Sequence, residues 1–429
     1  MIDAAVRAFR LPDLRRKILF TFALLGVYRL AAHVPVPGVD LARLRELLEG
    51  NQLLGMLDLF SGGSLTTFSV AALGVYPYIT ASIVMQIIAP LIPALQELQK
   101  EGEAGRTRLA QYTRLLTVPL AMLQAYAQAS LLAREGIITN FGLFDRYTFL
   151  PTVSLVLTLT AGTMFLVWLG ELITEKGVGN GVSLIIFAGI VARLPASIGQ
   201  TLAVETNWLA MAVLAAVGIL IVLGIVFMNE GQRRIQVHYA RRVRGNRVYG
   251  GGTTYIPLRV NSAGMIPLIF AMSIMLIPGT VATYFQGAQT EWVRATANFI
   301  VGLFNSTHWF YWVLYFLLVV LFTYFYTAVV FQQQNLPETL QKQGGFIQGI
   351  RAGRPTADYL NRVLNRITLA GALALGVIAI APYLVGLLTG VHVLTLSSTG
   401  ILIVVGVVLD TMKQLEAQLM MRHYEGFIR

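Results

Sequence analysis

The sequence predicts an all-α integral membrane protein of ten transmembrane helices in two inverted halves of five, and three observations predict it. Hydrophobic residues fill 56% of the 429 positions and charged residues only 12%, more apolar surface than a soluble chain of this length can bury. Ten segments are apolar over the roughly 20 residues needed to cross a bilayer. Lysine and arginine fall almost entirely on alternate connections between those segments.

Residues 1–17 come first, amphipathic and basic through Arg7, Arg10, Arg15, Arg16 and Lys17. The apolar run behind them is too long for a signal core and shows no small-residue cleavage pattern, so this stretch reads as a cytoplasmic leader along the headgroups. Spans are expected near 18–34, 74–93, 112–133, 151–170, 182–199, 208–228, 262–285, 308–332, 362–384 and 393–412. The fifth is bounded by the glycine-rich residues 177–181 and by Leu194-Pro195; the last two are separated only by residues 386–391. With the amino terminus inside, inside segments hold 25 lysines and arginines and outside loops 6, which places both termini in the cytoplasm. A joint near 200–207 divides the chain into an N-terminal half (18–200), a C-terminal half (201–412) and a tail (413–429). An odd number of spans per half inverts the second against the first, an arrangement that encloses a site or passage at the midplane.

Chemistry is mostly excluded. The chain has no cysteine, so disulfides and thiolate metal sites are ruled out, and no Walker A pattern occurs. His33, His238, His308, His392 and His423 lie at span ends or in loops. Ser61-Gly62-Gly63-Ser64 therefore has no base to activate a serine and reads as a turn. Arg29 reads as snorkelling to the outer surface, and Glu171 and Asp410 lie at inner helix ends. The alternative reading, an inverted-repeat secondary transporter, needs an intramembrane coupling group; none is visible. No catalytic residue, metal or cofactor is expected.

Three features ask for another role. Thr80, Ser82 and Gln86 in the second span should face protein or water, either in helix–helix hydrogen bonds or along a partable interface. Residues 56–70 are too polar to span, yet Leu57, Leu59, Phe60, Leu65 and Phe68 are too apolar for an exterior loop, so the segment should fold back into the protein. The loops 229–260 and 333–366 are strongly basic, the first with seven arginines. Residues 249–253 read as the turn between two extended arms, and the charge suits a large anionic partner such as ribosomal RNA, or anionic lipid.

With these residues in view the chain resembles the SecY family nearly end to end. The resemblance is carried by His33-Val34-Pro35-Val36-Pro37-Gly38-Val39-Asp40, the segment 73–86, Lys100-Glu101-Gly102-Glu103 with Gln111-Tyr112-Thr113-Arg114, Trp168-Leu169-Gly170-Glu171 and Gly179-Asn180-Gly181-Val182-Ser183. Further on come Arg233-Arg234-Ile235, Tyr249-Gly250-Gly251, the run 260–267, Gly349-Ile350-Arg351 and Asp410-Thr411-Met412.

The resemblance implies a protein-conducting channel of the general secretory pathway, with an hourglass pore between the halves and lateral release of membrane segments. Its apolar ring would be Val75, Ile79, Val182, Ile186, Ile269 and Ile403. A short re-entrant plug helix would lie over 57–70, with Leu59, Phe60, Ser61, Gly62, Gly63, Ser64 and Leu65 at its heart. Lateral-gate residues would be Thr80, Ser82 and Gln86 opposite Ser273 and Ile277. Arg241, Arg242 and Arg351 would dock a ribosome or the SecA ATPase. Implied partners also include the small membrane subunits SecE and SecG and the signal sequences of preproteins, at the cytoplasmic (inner) membrane. One departure stands out: Gln348 and Ala352 replace prolines common in the family around the Gly-Ile-Arg triplet, which leaves that tip less rigid.

Overall fold

The computed structural model describes residues 11–50, 58, 61–138, 140–142, 146–204, 208–239, 242–244, 247–249, 252–305, 308–334, 336–351, 353–389 and 395–425. Each of the ten segments expected to span is helical. In chain order the helices are α1 (Pro12–Ala31), α2 (Leu41–Gly50), α3 (Tyr76–Ile88), α4 (Pro93–Lys100), α5 (Glu103–Arg134), α6 (Arg146–Lys176), α7 (Gly181–Val204) and α8 (Trp208–Glu230). After a β-sheet they continue as α9 (Ile266–Phe285), α10 (Glu291–Leu303), α11 (Trp309–Gln334), α12 (Leu336–Lys342), α13 (Arg354–Thr389) and α14 (Thr395–Glu425). By length and composition alone, five helices among the described residues could cross a membrane, or six if the bent pair α3–α4 counts as one span.

Local chemistry sets several boundaries. α1 opens with Pro12 at its first turn, where a missing N–H is harmless, and Asp13 faces the positive end of the helix dipole. It therefore starts inside the expected leader: Leu14 and Ile18 pack with Val178 and Leu415, so residues 12–17 are part of α1. Residues 1–10 lie outside the described residues. The second span is shorter than expected, because the chain bends by 103° between α3 and α4, where Pro93 starts the new helix. Conversely, α7 runs through Pro195 without ending.

The two halves pack by the same scheme. In the first, α1 contacts α6 and α7, α5 contacts α3 and α6, and α6 contacts α7. Mapping α1, α3, α5, α6 and α7 onto α8, α9, α11, α13 and α14 reproduces these five pairings in the second half, while the weaker contact of α3 with α6 has no comparable counterpart there. Across the middle, α3 meets α9 and α7 meets α14, each helix against its own counterpart. Such a pairing of each helix with its counterpart is what an inverted repeat brings about.

The two long basic loops form one structure. β1 (Gln232–Tyr239) pairs antiparallel with β4 (Thr253–Arg259), in register from Gln232↔Arg259 to His238↔Thr253. β5 (Gly345–Phe346) adds to the other edge of β1. β2 (Arg242–Arg244) and β3 (Arg247–Tyr249) make a separate hairpin at the tip. The reversal thus lies between Arg244 and Arg247, not at residues 249–253 as expected. Ile235 and Val237, alternate residues on one face of β1, bury against Leu258, Phe331, Leu340, Ile347 and Leu360, giving the loops a core of their own.

Candidate functional site: a closed waist between a polar cavity and a folded-in segment

At the centre of the bundle Val75, Ile79, Ile186, Ile269 and Ile403 are buried in one apolar cluster, with Val182 packed against it. Four elements supply them: the start of α3, one face of α7, the start of α9 and the middle of α14. Val182, Ile186, Gly189 and Arg193 follow one another at intervals of four, three and four along α7, a single helical stripe. α7 can lie close to α6 because a Cβ on Gly181 would fall 1.8 Å from the Gly170 carbonyl oxygen, the small-residue contact common between membrane helices.

On one side of this waist lies a cavity of about 690 Å³, with Ile79, Val182, Ile186 and Ile269 in its wall. Its polar lining includes Ser82, Gln86, Arg114, Glu171, Glu175, Asn180 and Ser183. Arg114 and Glu171 form an ion pair at 2.5 Å. A neighbouring cavity of about 380 Å³ shares Asn180, Ser183, Ile266 and Ile269 and adds Arg259, Asp410 and Lys413. Both cavities lie at the end of the bundle that carries the sheet.

On the other side sits the segment after Asp58. Of the implied plug helix over 57–70, Asp58 is helical and residues 61–70 run on as a chain of turns that reaches Val75, while Leu57, Leu59 and Phe60 lie outside the described residues. Alternate short polar and glycine residues favour local turns over a helical ladder. Ser61, Ser64 and Leu65 are buried, Gly62 with them, and Gly63 is half-buried. Leu65 and Phe68 sink into a cluster with Leu44, Ala125, Leu132 and Leu159, which is why a loop-like sequence carries such apolar residues.

The polar side of the segment is pinned. Asp58, 2% exposed, accepts hydrogen bonds from the backbone of Leu65 (3.1 Å) and Thr66 (3.0 Å) and from the Thr66 hydroxyl (2.9 Å). It also forms an ion pair with Arg193 of α7. Tyr28 donates to the Ser61 carbonyl at 3.3 Å. Arg29 donates to the Gly62 carbonyl at 3.0 Å, so it binds this segment instead of snorkelling free. Gly62 has φ +68°, and a Cβ there would lie 2.6 Å from the Cα of Gly189; only glycine fits both demands.

The expected gate residues separate into two groups. Thr80 is buried but donates to Tyr76 of its own helix at 3.1 Å. That is the back-bond also made by Thr113, Thr117, Thr283 and Thr323, and it satisfies an intramembrane hydroxyl without a neighbour. Ser82 and Gln86 bond each other at 3.1 Å and line the polar cavity, whose wall also includes Ile266, Ile269 and Phe270 from the start of α9. Thr80 and Ile277 share a largely apolar groove of about 380 Å³ between α3, α5 and α9, and Ser273 is fully buried. Among the described residues, two hydrogen bonds that cross this seam come from donors the sequence did not single out. Tyr76 donates to the Ser273 carbonyl at 3.0 Å, and Arg134 to the Tyr284 carbonyl at 2.5 Å. Of the basic set, Arg351 is exposed and Arg242 lies in β2, while Arg241 lies outside the described residues.

The SecY family model matches residues 69–412. The chain is 45% identical to the protein translocase subunit SecY of Streptomyces galbus and 43% identical to that of Mycobacterium tuberculosis, in both cases over the whole of each chain. Its fold is similar to that of a solved protein-conducting channel, with a TM-score of 0.61 at 15% identity over 94% of this chain and 91% of the other. A TM-score of 0.62 at 16% identity and the same coverage relates it to Sec61 in the canine ribosome–channel complex of the endoplasmic reticulum.

Proposed function

The chain belongs to the SecY family, and from that premise we infer that it is the protein-conducting channel of a translocase. It passes unfolded preproteins through the waist and releases apolar segments sideways between α3 and α9. The observation that carries this reading is the position of the waist, an apolar collar between a polar cavity and a folded-in segment. A narrow ring of branched aliphatics cannot replace an ion's hydration shell, so ions are rejected. The same side chains offer a sliding polypeptide no specific hydrogen bond. They close on any sequence by changing rotamer.

In this reading Val75, Ile79, Val182, Ile186, Ile269 and Ile403 form the seal, and residues 57–70 are the plug. An apolar signal helix gains about 0.3–0.6 kcal/mol per Leu, Ile, Phe or Val in the bilayer, enough to part a seam held by a few polar contacts of comparable size. The transporter alternative lacks a coupling group here. Asp58 already has Arg193 and several donors around its two oxygens, which leaves it no role with a small ion.

The chain is then a passive conduit with no catalytic residue, and the driving force comes from outside it. The basic sheet and Arg351 are the docking surface for a ribosome or the SecA ATPase, and SecE and SecG are its small membrane subunits. Both termini face the cytoplasm across the cytoplasmic membrane, as the lysine and arginine distribution implies. Reconstitution in vesicles tests the reading: a preprotein with a signal sequence should become protease-protected on addition of motor and ATP. Protection that ignores the signal, or none at all, would overturn it.

A further inference from the structure

Tyr76 and Arg134, which among the described residues donate hydrogen bonds across the seam, share a target. Both bonds run from the first half to backbone carbonyls of α9, and they land on either side of Pro278. That proline has no N–H to give the carbonyl one turn before it, so α9 is weakest between the two contacts. Tyr76 grips the inner part of α9 in a buried setting. Arg134, the last residue of α5, grips the outer end, where Tyr284 lies in the final turn of the helix. The negative end of a helix dipole and its unfilled carbonyls both favour a guanidinium there.

Resting on the reading of the α3–α9 seam as the lateral exit, we propose that Tyr76 and Arg134 determine its specificity. They clasp α9 at two points and set how apolar a segment must be to part the seam. Their effects are distinct. Losing Arg134 frees the part of α9 beyond Pro278, and losing the Tyr76 hydroxyl loosens the part before it. Arg134 lies outside the apolar cluster of the waist, whereas Tyr76 adjoins Val75 within it, so loss of Arg134 alone leaves the seal untouched.

The test uses the full-length chain with its co-purifying subunits in lipid vesicles. The absence of native cysteine allows spin labels at L123C and V281C, exposed residues on opposite walls of the groove. Arg134→Glu should shift the label distances to longer values and Arg134→Lys should restore them, a rescue that loss of general stability would not show. In the same vesicles, Arg134→Glu and Tyr76→Phe should each raise transport of a preprotein with a shortened signal core relative to the intact one. The expected rise is about fivefold, the factor for one net hydrogen bond. Unchanged distances and an unchanged ratio in both variants would overturn the clasp. If wild-type vesicles pass no signal-bearing preprotein, the channel reading fails and the specificity role falls with it; the distances still report whether the contacts hold the seam.

Discussion

Arg193 of α7 forms an ion pair with Asp58, whose carboxylate also caps the turn carrying Leu65 and Thr66. The pair joins the folded-in segment to the helix that supplies Val182 and Ile186 to the waist, and it lies on the same stripe of α7. In the proposed channel, a movement of α7 that widens the waist would pull on Asp58, which links the seal to the segment behind it through one helix.

Breaking that link should make a resting channel leak. Arg193→Gln leaves the Asp58 carboxylate short of its cation, at a cost on the order of 1–3 kcal/mol. That is below the cost of breaking a fully buried pair, because the arginine side chain keeps 38% exposure. Planar-bilayer recordings should show frequent brief openings in this variant and in Asp58→Asn. A silent membrane would mean that Tyr28 and Arg29 hold the segment on their own.

Gly62→Ala tests the same contact by steric means. The added methyl would overlap the Tyr28 hydroxyl and the Gly189 backbone, at a φ of +68° that disfavours any side chain. We expect a penalty of about 1–3 kcal/mol against the closed arrangement, read as raised ion conductance and faster protease nicking near residue 62. The nearby Gly38→Ala, at φ +87° but with open space around it, should strain its own turn without opening the channel.

Polar substitution in the waist should act differently. Ile403 is almost fully buried among the ring residues, and Ile403→Asn places an amide where an ion has no other partner. Resting conductance should rise several-fold with folding retained, because a hydrated path lowers the dehydration barrier. A tight single-channel record would remove Ile403 from the seal.

Reversing charge at Arg351 should separate docking from assembly. Its side chain is exposed, while its carbonyl is held by the Thr356 hydroxyl at 2.7 Å. The loop can therefore keep its shape when the guanidinium is replaced. Arg351→Glu should lower motor-driven transport at least about tenfold, the size of effect seen for charge pairs at an interface, with normal membrane insertion. Full transport would make Arg351 a topology determinant only.

The sequence by itself determined the membrane class, the ten helical segments, the two halves and the basic face. Each of these follows from local composition, which a bilayer reads directly: apolar length selects a span, and arginine selects a side. The apolar identity of Val75, Ile79, Val182, Ile186, Ile269 and Ile403 was legible too, but only through resemblance, since aliphatic residues in a membrane helix carry no mark of where they point.

Only the tertiary structure decided which polar groups meet. Thr80 looked like a seam residue and is satisfied within its own helix, because a threonine hydroxyl can always reach the carbonyl four residues back. Nothing in the sequence singled out Tyr76 or Arg134, and their hydrogen bonds cross the seam. Nothing in the sequence paired Arg193 with Asp58, although folding buries the acid against the arginine. A hydrogen bond or ion pair across 135 or 197 positions depends on how whole helices are placed, and that placement is set by the packing of all of them at once.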